Sequence, residues 1–253
     1  MPSRVLGEDT NISTQLLFYK DVIAVSKERH ATSSIDTTQD YSFASEINSV
    51  PLTATEFPFA ARDHVIVFGG TETPMPVVIL GIQSGRNAFV AENGHWEGRY
   101  IPAFVRRYPF VFSADEQGSK FTLCVDKAFK GLNEDGRGEK LFDEQGENTS
   151  YLDKMLNFLQ EYQLQFQNTQ VFCQKLNELD LLESMQAHFS MPTGSQHSLT
   201  GFRVINRERL RALDGETLVD LAKTDVLELA YLHLQSLNNF SVIVERASAG
   251  STR

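Results

Sequence analysis

Cysteine and long apolar runs are scarce in this sequence. Among its 253 residues there are two cysteines, Cys124 and Cys173, too few for a four-thiolate zinc site and too far apart in sequence to indicate a designed disulfide. The longest apolar runs, such as residues 65–68 and 76–82, fall far short of the roughly 20 residues that cross a bilayer. The sequence therefore predicts two reduced core thiols and no membrane span.

Positive charge is also scarce. Lys and Arg number 23 against 33 Asp and Glu, so the formal net charge is -10 and the pI is about 5.1. The resulting field repels phosphate backbones and anionic lipid, which excludes nucleic acid as a general partner. Residues 1–14 lack the basic, apolar and small-residue order of a secretory signal. We therefore expect a soluble cytoplasmic protein; the alternative location is the cell surface, reached by a non-standard export route.

The motifs of several enzyme classes are missing. No glycine-rich segment matches a phosphate-binding loop, no Gly-x-Ser-x-Gly elbow provides a serine nucleophile, and no His-Glu-x-x-His pair provides zinc ligands. We therefore predict neither a cofactor nor a metal. One alternative stays open, because His95-x-Glu97 with His188 or His197 could form the two-His, one-carboxylate face that holds Fe(II) in oxygenases.

Short β-branched and aromatic runs, separated by turn residues, dominate the first half of the chain. Asn93-Gly94 is typical of a type I′ hairpin turn, because both central positions of that turn need positive φ. Residues 131–149 are acidic and rich in glycine, which predicts a solvated loop. The runs predict a mostly antiparallel sheet, with strands at residues 20–25, 65–68, 77–82, 87–90, 109–112 and 121–125.

The second half of the chain has helical periodicity. Ser150-x-x-Asp153 is a capping-box pattern, and the apolar residues after it recur at helical spacing, which predicts a long helix from residue 150. Runs at 185–189 and 199–205, joined by a turn at 192–195, predict a β-hairpin. The fold class is therefore α+β, with the sheet first and the helices later. Short helices are expected to follow the hairpin, with caps at Asn206, Asp214 and Asp225.

We expect a single domain over residues 18–240. The loop 131–149 is the alternative place for a boundary within it. The ends, residues 1–17 and 241–253, are largely polar and cannot bury enough apolar area to offset the entropy of ordering. We predict flexible termini there.

The segment 98–110 differs from the acidic remainder of the chain, because it holds three arginines, four aromatic residues and two prolines. Pro102 predicts the first turn of a short helix that ends before Tyr108-Pro109, since a residue before proline avoids the α conformation. Guanidinium groups bind anions and stack on rings. The alternative is that these arginines pair with carboxylates of their own domain and pack on aromatic neighbours. The predicted ligand-binding residues are Arg99, Tyr100, Arg106, Arg107 and Tyr108.

Several ordered blocks of sequence carry a family resemblance. They include Tyr19-Lys20-Asp21-Val22, Glu56-Phe57-Pro58, residues 98–104, residues 121–126 and Gly201-Phe202. Together these blocks, spread over residues 18–237, resemble the SapC family of bacterial proteins. The family takes its name from a surface-array gene cluster. Its members are often labelled peptide-transport permeases, a label that conflicts with the short apolar runs of this chain.

The resemblance implies an accessory role in acquiring or modifying a nutrient, because similar proteins accompany outer-membrane receptors and halogenase-like or cupin-like proteins. It implies no catalytic residues. We therefore expect a soluble, non-catalytic binding or accessory protein linked to nutrient uptake or cell-surface systems. Its arginine-rich and aromatic segment is expected to meet an anionic small molecule, a peptide or a partner protein. The alternatives are an iron-dependent oxygenase-type enzyme using His95, Glu97 and His188, and a structural component of a surface layer.

Overall fold

The computed structural model describes residues 16–70, 72–115, 120–191 and 194–249. It confirms the α+β class, with antiparallel sheets in the N-terminal half, then a long helix, a β-hairpin and a helical C-terminal part. The strands are β1 (Val22–Ala24), β2 (Ser34–Ile35), β3 (Ser49–Pro51), β4 (Val65–Gly69), β5 (Met75–Ile79), β6 (Phe110–Ala114), β7 (Phe121–Asp126), β8 (Leu132–Asn133), β9 (Glu139–Lys140), β10 (Leu182–Ser190) and β11 (Gln196–Ile205). The helices are α1 (Lys27–His30), α2 (Phe57–Ala60), α3 (Ala103–Arg106), α4 (Ser150–Glu178), α5 (Arg207–Arg211), α6 (Gly215–Lys223), α7 (Val226–Ser236) and α8 (Phe240–Ala249).

The described strands form antiparallel sheets around two apolar cores. The largest sheet has the order β10-β11-β4-β5-β3, and the two three-stranded sheets have the orders β1-β7-β6 and β8-β2-β9. Strands β4 and β5 are buried along almost their whole length. Their continuous apolar runs follow from this, since both faces of the sheet are covered by protein at that point.

Residues 131–149 were predicted to be a solvated loop, and most of them are exposed, but they also hold secondary structure. They contribute β8 and β9, which pair with β2 on its two sides. Gly138 permits this arrangement, because its φ is +81° and a Cβ there would overlap the carbonyl oxygen of Ile35. Strand β2 lies far upstream in the sequence, so the local acidic composition could not reveal the pairing.

The predicted strand at 87–90 and its type I′ turn are wrong. An isolated bridge joins Val90 to Trp96, and Gly94 has a φ of +80°, but Asn93 is not among the residues with positive φ. The Oδ1 of Asn93 instead accepts a hydrogen bond from the His95 N–H (3.1 Å). A side-chain turn of this kind satisfies the backbone locally, so no regular hairpin is needed.

Helix α4 links the two apolar cores. Its N-cap is Thr149, whose Oγ1 accepts a hydrogen bond from the Leu152 N–H (3.4 Å), so the helix is capped one residue before the predicted Ser150. At 29 residues the helix spans about 43 Å. The smaller core receives Leu152 and Leu159, and the larger core receives residues further along the same helix, namely Tyr162, Phe166, Phe172, Cys173 and Leu176.

The C-terminal part follows the prediction closely, with one exception at a helix cap. Strands β10 and β11 form the predicted hairpin, although residues 192 and 193 of its turn lie outside the described residues. Asn206 and Asp214 cap α5 and α6 through their side chains. Asp225 precedes α7 in a left-handed conformation (φ 60°) and makes no side-chain cap bond, so its predicted capping role is wrong.

Replacement of the cap residue Asn206 by Ala is expected to lower the free energy of unfolding by about 1 kcal/mol. Its Oδ1 accepts from the Arg209 N–H (2.9 Å), and its Nδ2 donates to Glu183 Oε2 (2.6 Å). The check is urea unfolding monitored by circular dichroism. Asp225→Asn is the control, because no cap bond is lost there. Equal losses in the two variants would contradict the assignment of Asn206 as the cap.

The structure describes part of each end of the chain. Residues 1–15 and 250–253 lie outside the described residues. Residues 241–249, where a flexible end was expected, belong to helix α8, and Ile243 and Ala247 are buried in the larger core. Its apolar residues recur at helical spacing, which gives the helix a face to bury.

Both cysteines are free and buried, which confirms the expected core thiols. Among the described helices, none combines the length and apolar character needed to cross a membrane.

Candidate ligand-binding cleft

The arginine-rich segment is divided by the geometry of helix α3. The helix is Ala103–Arg106, so Pro102, which was predicted in its first turn, is the N-cap residue, and Arg107 is the C-cap residue. Successive residues of a helix point about 100° apart. Arg106 is therefore exposed while Arg107 points inward and is 4% exposed. Two neighbouring arginines in the sequence thus have different environments.

Arg106 lies against aromatic rings at the surface. Its Nε donates to the Ile101 carbonyl oxygen (2.9 Å), and its Nη2 donates to the Tyr100 hydroxyl (3.2 Å). The guanidinium carbon is 5.7 Å from the ring centroid of Tyr100 and 5.3 Å from that of Phe158. Its Nη1 donates to no residue that the structure describes. This nitrogen is available to a ligand.

The surface around Arg106 is a cleft of about 580 Å³ between the turn at 54–56, helix α3 and the middle of α4. We call it the aromatic cleft. Its volume is in the range of small-molecule sites, which run from about 300 to 1,000 Å³. The lining residues are Thr53, Thr55, Glu56, Phe59, Tyr100, Ile101, Ala103, Arg106, Phe158, Glu161, Tyr162 and Gln165.

Glu56 is the buried acid of the aromatic cleft, and it is 5% exposed. Its Oε2 accepts from the N–H and the hydroxyl of Thr53 (2.8 and 2.9 Å). Its Oε1 accepts from the Tyr100 hydroxyl (2.9 Å) and from the Ala103 N–H (2.7 Å), at the start of α3. One carboxylate therefore joins the turn at 54–56, the Tyr100 ring and the helix that carries Arg106.

Tyr100 is held at both ends. Its carbonyl oxygen lies 2.9 Å from His64 Nε2 and accepts from Trp96 Nε1 (3.0 Å), and its ring stacks on Phe59 at 5.7 Å between centroids. Burial raises the pKa of its phenol above the ordinary value, and the negative charge of Glu56 adds to the rise. The hydroxyl thus stays protonated, donates to Glu56 and accepts from Arg106.

Arg107 belongs to the core. Its guanidinium carbon lies 4.0 Å from the ring centroid of Phe104, and the rings of Tyr19 and Tyr162 are within 5.7 Å. Burial raises the pKa of Tyr19 to about 12, and the positive charge of Arg107 opposes that rise. Since its side chain is enclosed by aromatic rings, a ligand in the aromatic cleft does not reach it.

The other two predicted residues also lie away from the aromatic cleft. Tyr108 stacks on Phe43 at 4.2 Å and donates to the buried Asp126 (3.2 Å), and it lines a different pocket of about 340 Å³. Burial raises its pKa, and Asp126 adds to the rise. Arg99 has an exposed side chain, while its backbone N–H donates to Asp63 Oδ2 (2.6 Å). The structure thus brings together Tyr100 and Arg106 of the five predicted residues.

The residues of the iron alternative do not form a metal site. Within the described ranges, no group of three or more His, Cys, Asp or Glu side chains could hold a metal ion. His95 and His188 are exposed, on a loop and on β10 respectively. Glu97 instead faces Arg246, with 3.5 Å between the carboxylate and the guanidinium. The predicted face of His95, Glu97 and His188 is therefore not assembled, because the three residues are committed to separate surface elements.

Sequence reasoning missed most of the aromatic cleft. Thr53-x-x-Glu56 matches a capping-box pattern and could have drawn attention to Glu56. Phe158 and Glu161 had no distinguishing signal, because they occupy ordinary positions of a long helix. Phe59 is 49% exposed, and an isolated exposed ring has no signature in sequence.

Comparison with known proteins gives one family. The family model described as SapC matches residues 25–243, which is most of the chain. No curated protein and no solved structure matches it.

Proposed function

The chain belongs to the SapC family, and on that premise we propose that it is a non-catalytic binding protein that holds a small molecule in the aromatic cleft. The observation that carries this proposal is the guanidinium of Arg106, which lines the cleft beside the rings of Tyr100 and Phe158. Its Nη1 and one edge of its planar fork are available for an anionic group. The body of the ligand would lie on the neighbouring rings.

The size and polarity of the aromatic cleft favour a small molecule over a protein surface. Sites for such ligands are concave, mostly apolar and supplied with a few polar groups that fix orientation. Arg106 can supply the charge contact, and the exposed Thr55 hydroxyl can supply a further hydrogen bond. Of the three kinds of partner that the sequence allowed, we therefore choose the small molecule, which is held through an anionic group.

The hydrogen bonds of Glu56 favour binding over catalysis. A general acid or base must be free to exchange a proton with the substrate. Both oxygens of Glu56 are already engaged by four donors of the protein, two of them backbone N–H groups. We therefore assign this carboxylate to holding the cleft in shape. We further propose a cytoplasmic location and a role in nutrient uptake. The two buried free thiols support a reducing compartment, and the family resemblance supports the role.

The proposal predicts that Arg106→Gln weakens binding of an aromatic carboxylate by about tenfold to a hundredfold, because a charge-assisted hydrogen bond is lost. The probe is 3-phenylpropanoate, titrated by isothermal calorimetry. The matched control is Arg99→Gln, which alters an exposed arginine of the same segment outside the cleft.

The control variant is expected to bind as the wild type does. Circular dichroism of all three proteins checks that the fold is retained. Measurable but equal affinity of the wild type and the Arg106→Gln variant would contradict the proposal, and so would a wild type that binds no aromatic carboxylate.

A further inference from the structure

We infer that the ligand of the aromatic cleft is a zwitterion, of which an aromatic α-amino acid is the simplest form. This inference rests on the proposed function and deepens it, because it states the charge of the ligand as well as its shape. It depends on Glu161, a residue of α4 that lines the cleft together with Arg106.

Arg106 and Glu161 are opposite charges in one cleft that do not neutralise each other directly. Among the described residues, neither takes part in a side-chain ion pair, so their charged atoms are more than 4.0 Å apart. The Oε1 of Glu161 accepts from Gln165 Nε2 (2.6 Å), and its Oε2 has no hydrogen-bond donor within the described part of the chain. Both groups are exposed to solvent. A ligand that lies between them can satisfy both.

The net charge of the aromatic cleft opposes a simple anion. The cleft holds the guanidinium of Arg106 and the carboxylates of Glu56 and Glu161, and both oxygens of Glu56 accept hydrogen bonds from the protein. The whole protein is also strongly acidic, at -10. A carboxylate alone would add negative charge to this field, and an amine alone would lie against Arg106. A zwitterion adds no net charge, and it can place its carboxylate at Arg106 and its ammonium group at Glu161.

The aromatic residues of the cleft indicate the shape of the uncharged part of the ligand. Phe59 is half exposed and stacks on Tyr100, and Phe158 lies under the guanidinium of Arg106 on the α4 side. Both rings line the cleft, and the apolar surface that they present favours a flat apolar body in the ligand. An α-amino acid with an aromatic side chain combines this body with an ammonium group and a carboxylate at one end.

The test compares three molecules that share a phenyl ring: L-phenylalanine, 3-phenylpropanoate, which lacks the ammonium group, and 2-phenylethylamine, which lacks the carboxylate. In isothermal calorimetry at pH 7, L-phenylalanine is expected to bind at least about tenfold tighter than either of the others. Glu161→Gln should remove that advantage over 3-phenylpropanoate while leaving the affinity for 3-phenylpropanoate equal or higher.

The matched control is Glu178→Gln, because Glu178 on the same helix accepts from Gln174 as Glu161 accepts from Gln165, but outside the cleft. It should bind all three probes as the wild type does. If 3-phenylpropanoate binds in an Arg106-dependent way and L-phenylalanine binds no tighter, the zwitterion inference is overturned and the proposed function stands. If none of the probes binds the folded wild type, both are overturned.

Discussion

Glu56→Ala is expected to lower the free energy of unfolding by roughly 4 kcal/mol, the largest loss from any single substitution proposed for this protein. The variant leaves four donors without their acceptor: the Thr53 N–H and hydroxyl, the Tyr100 hydroxyl and the Ala103 N–H. Each buried donor that loses its partner costs about 1–3 kcal/mol, and water entering from the cleft recovers part of this.

The measurement is the urea midpoint at constant m-value, with Glu161→Ala as the matched control. Glu161 lines the same aromatic cleft but is exposed, so its replacement should change the stability by less than about 0.5 kcal/mol. Glu56→Gln should give an intermediate loss, because an amide keeps one acceptor and turns the other into a donor. A small loss in Glu56→Ala would show that the carboxylate does not hold the cleft together.

Glu56→Ala should also weaken ligand binding, for a reason distinct from that of Arg106→Gln. The carboxylate does not need to touch the ligand. It holds the Tyr100 hydroxyl and the Ala103 N–H, and Ala103 is the first residue of α3, the helix to which Arg106 belongs. Loss of that support allows the guanidinium to leave the ring faces. The binding loss should therefore be partly restored in Glu56→Gln, as expected for a positioning residue.

The second large effect is acid destabilisation, which we expect between pH 6.5 and about pH 3. His233 is fully buried in α7, and its Nε2 accepts a hydrogen bond from the Ile205 N–H (3.0 Å). Burial lowers the pKa of His233 from 6.5 to about 3. Burial also lowers the pKa of His64, against the opposing charge of Asp63. Both imidazoles are therefore held neutral in the folded protein.

The direction of the pH effect follows from proton binding. In the unfolded chain His233 takes up a proton below about pH 6.5, while in the folded protein it does so only near pH 3. Between these values the unfolded state binds more protons, so the free energy of unfolding falls as the pH is lowered. His233 alone accounts for roughly 4 kcal/mol over this window, with a slope of at most about 1.4 kcal/mol per pH unit.

The check is the urea midpoint measured from pH 8 to pH 4 for the wild type and for His233→Gln. Glutamine can place an acceptor near the position of Nε2 and does not titrate, so the variant should show a flatter pH profile below pH 6.5. His64 still contributes part of the pH dependence of the free energy of unfolding in this variant. His188→Gln, at an exposed histidine, is the control and should retain the full slope. An unchanged profile in His233→Gln would refute the assignment.

Several parts of the fold could be predicted from the sequence because their signals are local. The periodic apolar residues after Ser150 indicated α4, and the β-branched runs indicated β4, β7 and the β10-β11 hairpin. The Pro102 start and the Tyr108-Pro109 stop of α3 were equally local. Where the prediction failed, at β8, β9 and the turn near Asn93, either a partner distant in sequence or a side-chain hydrogen bond decided the structure.

The candidate site divides in the same way. The amino-acid sequence alone was sufficient to predict the α+β class, the family, and the unusual set of cations and rings in the segment 98–110. The three-dimensional packing was needed to see that Arg106 lines a cleft while Arg107 enters the core, and that Glu56, Phe158 and Glu161 complete that cleft. This division arises because periodicity and turn chemistry act over a few residues. A cleft, in contrast, is built by packing between segments far apart in the chain, where burial and hydrogen-bond partners are set.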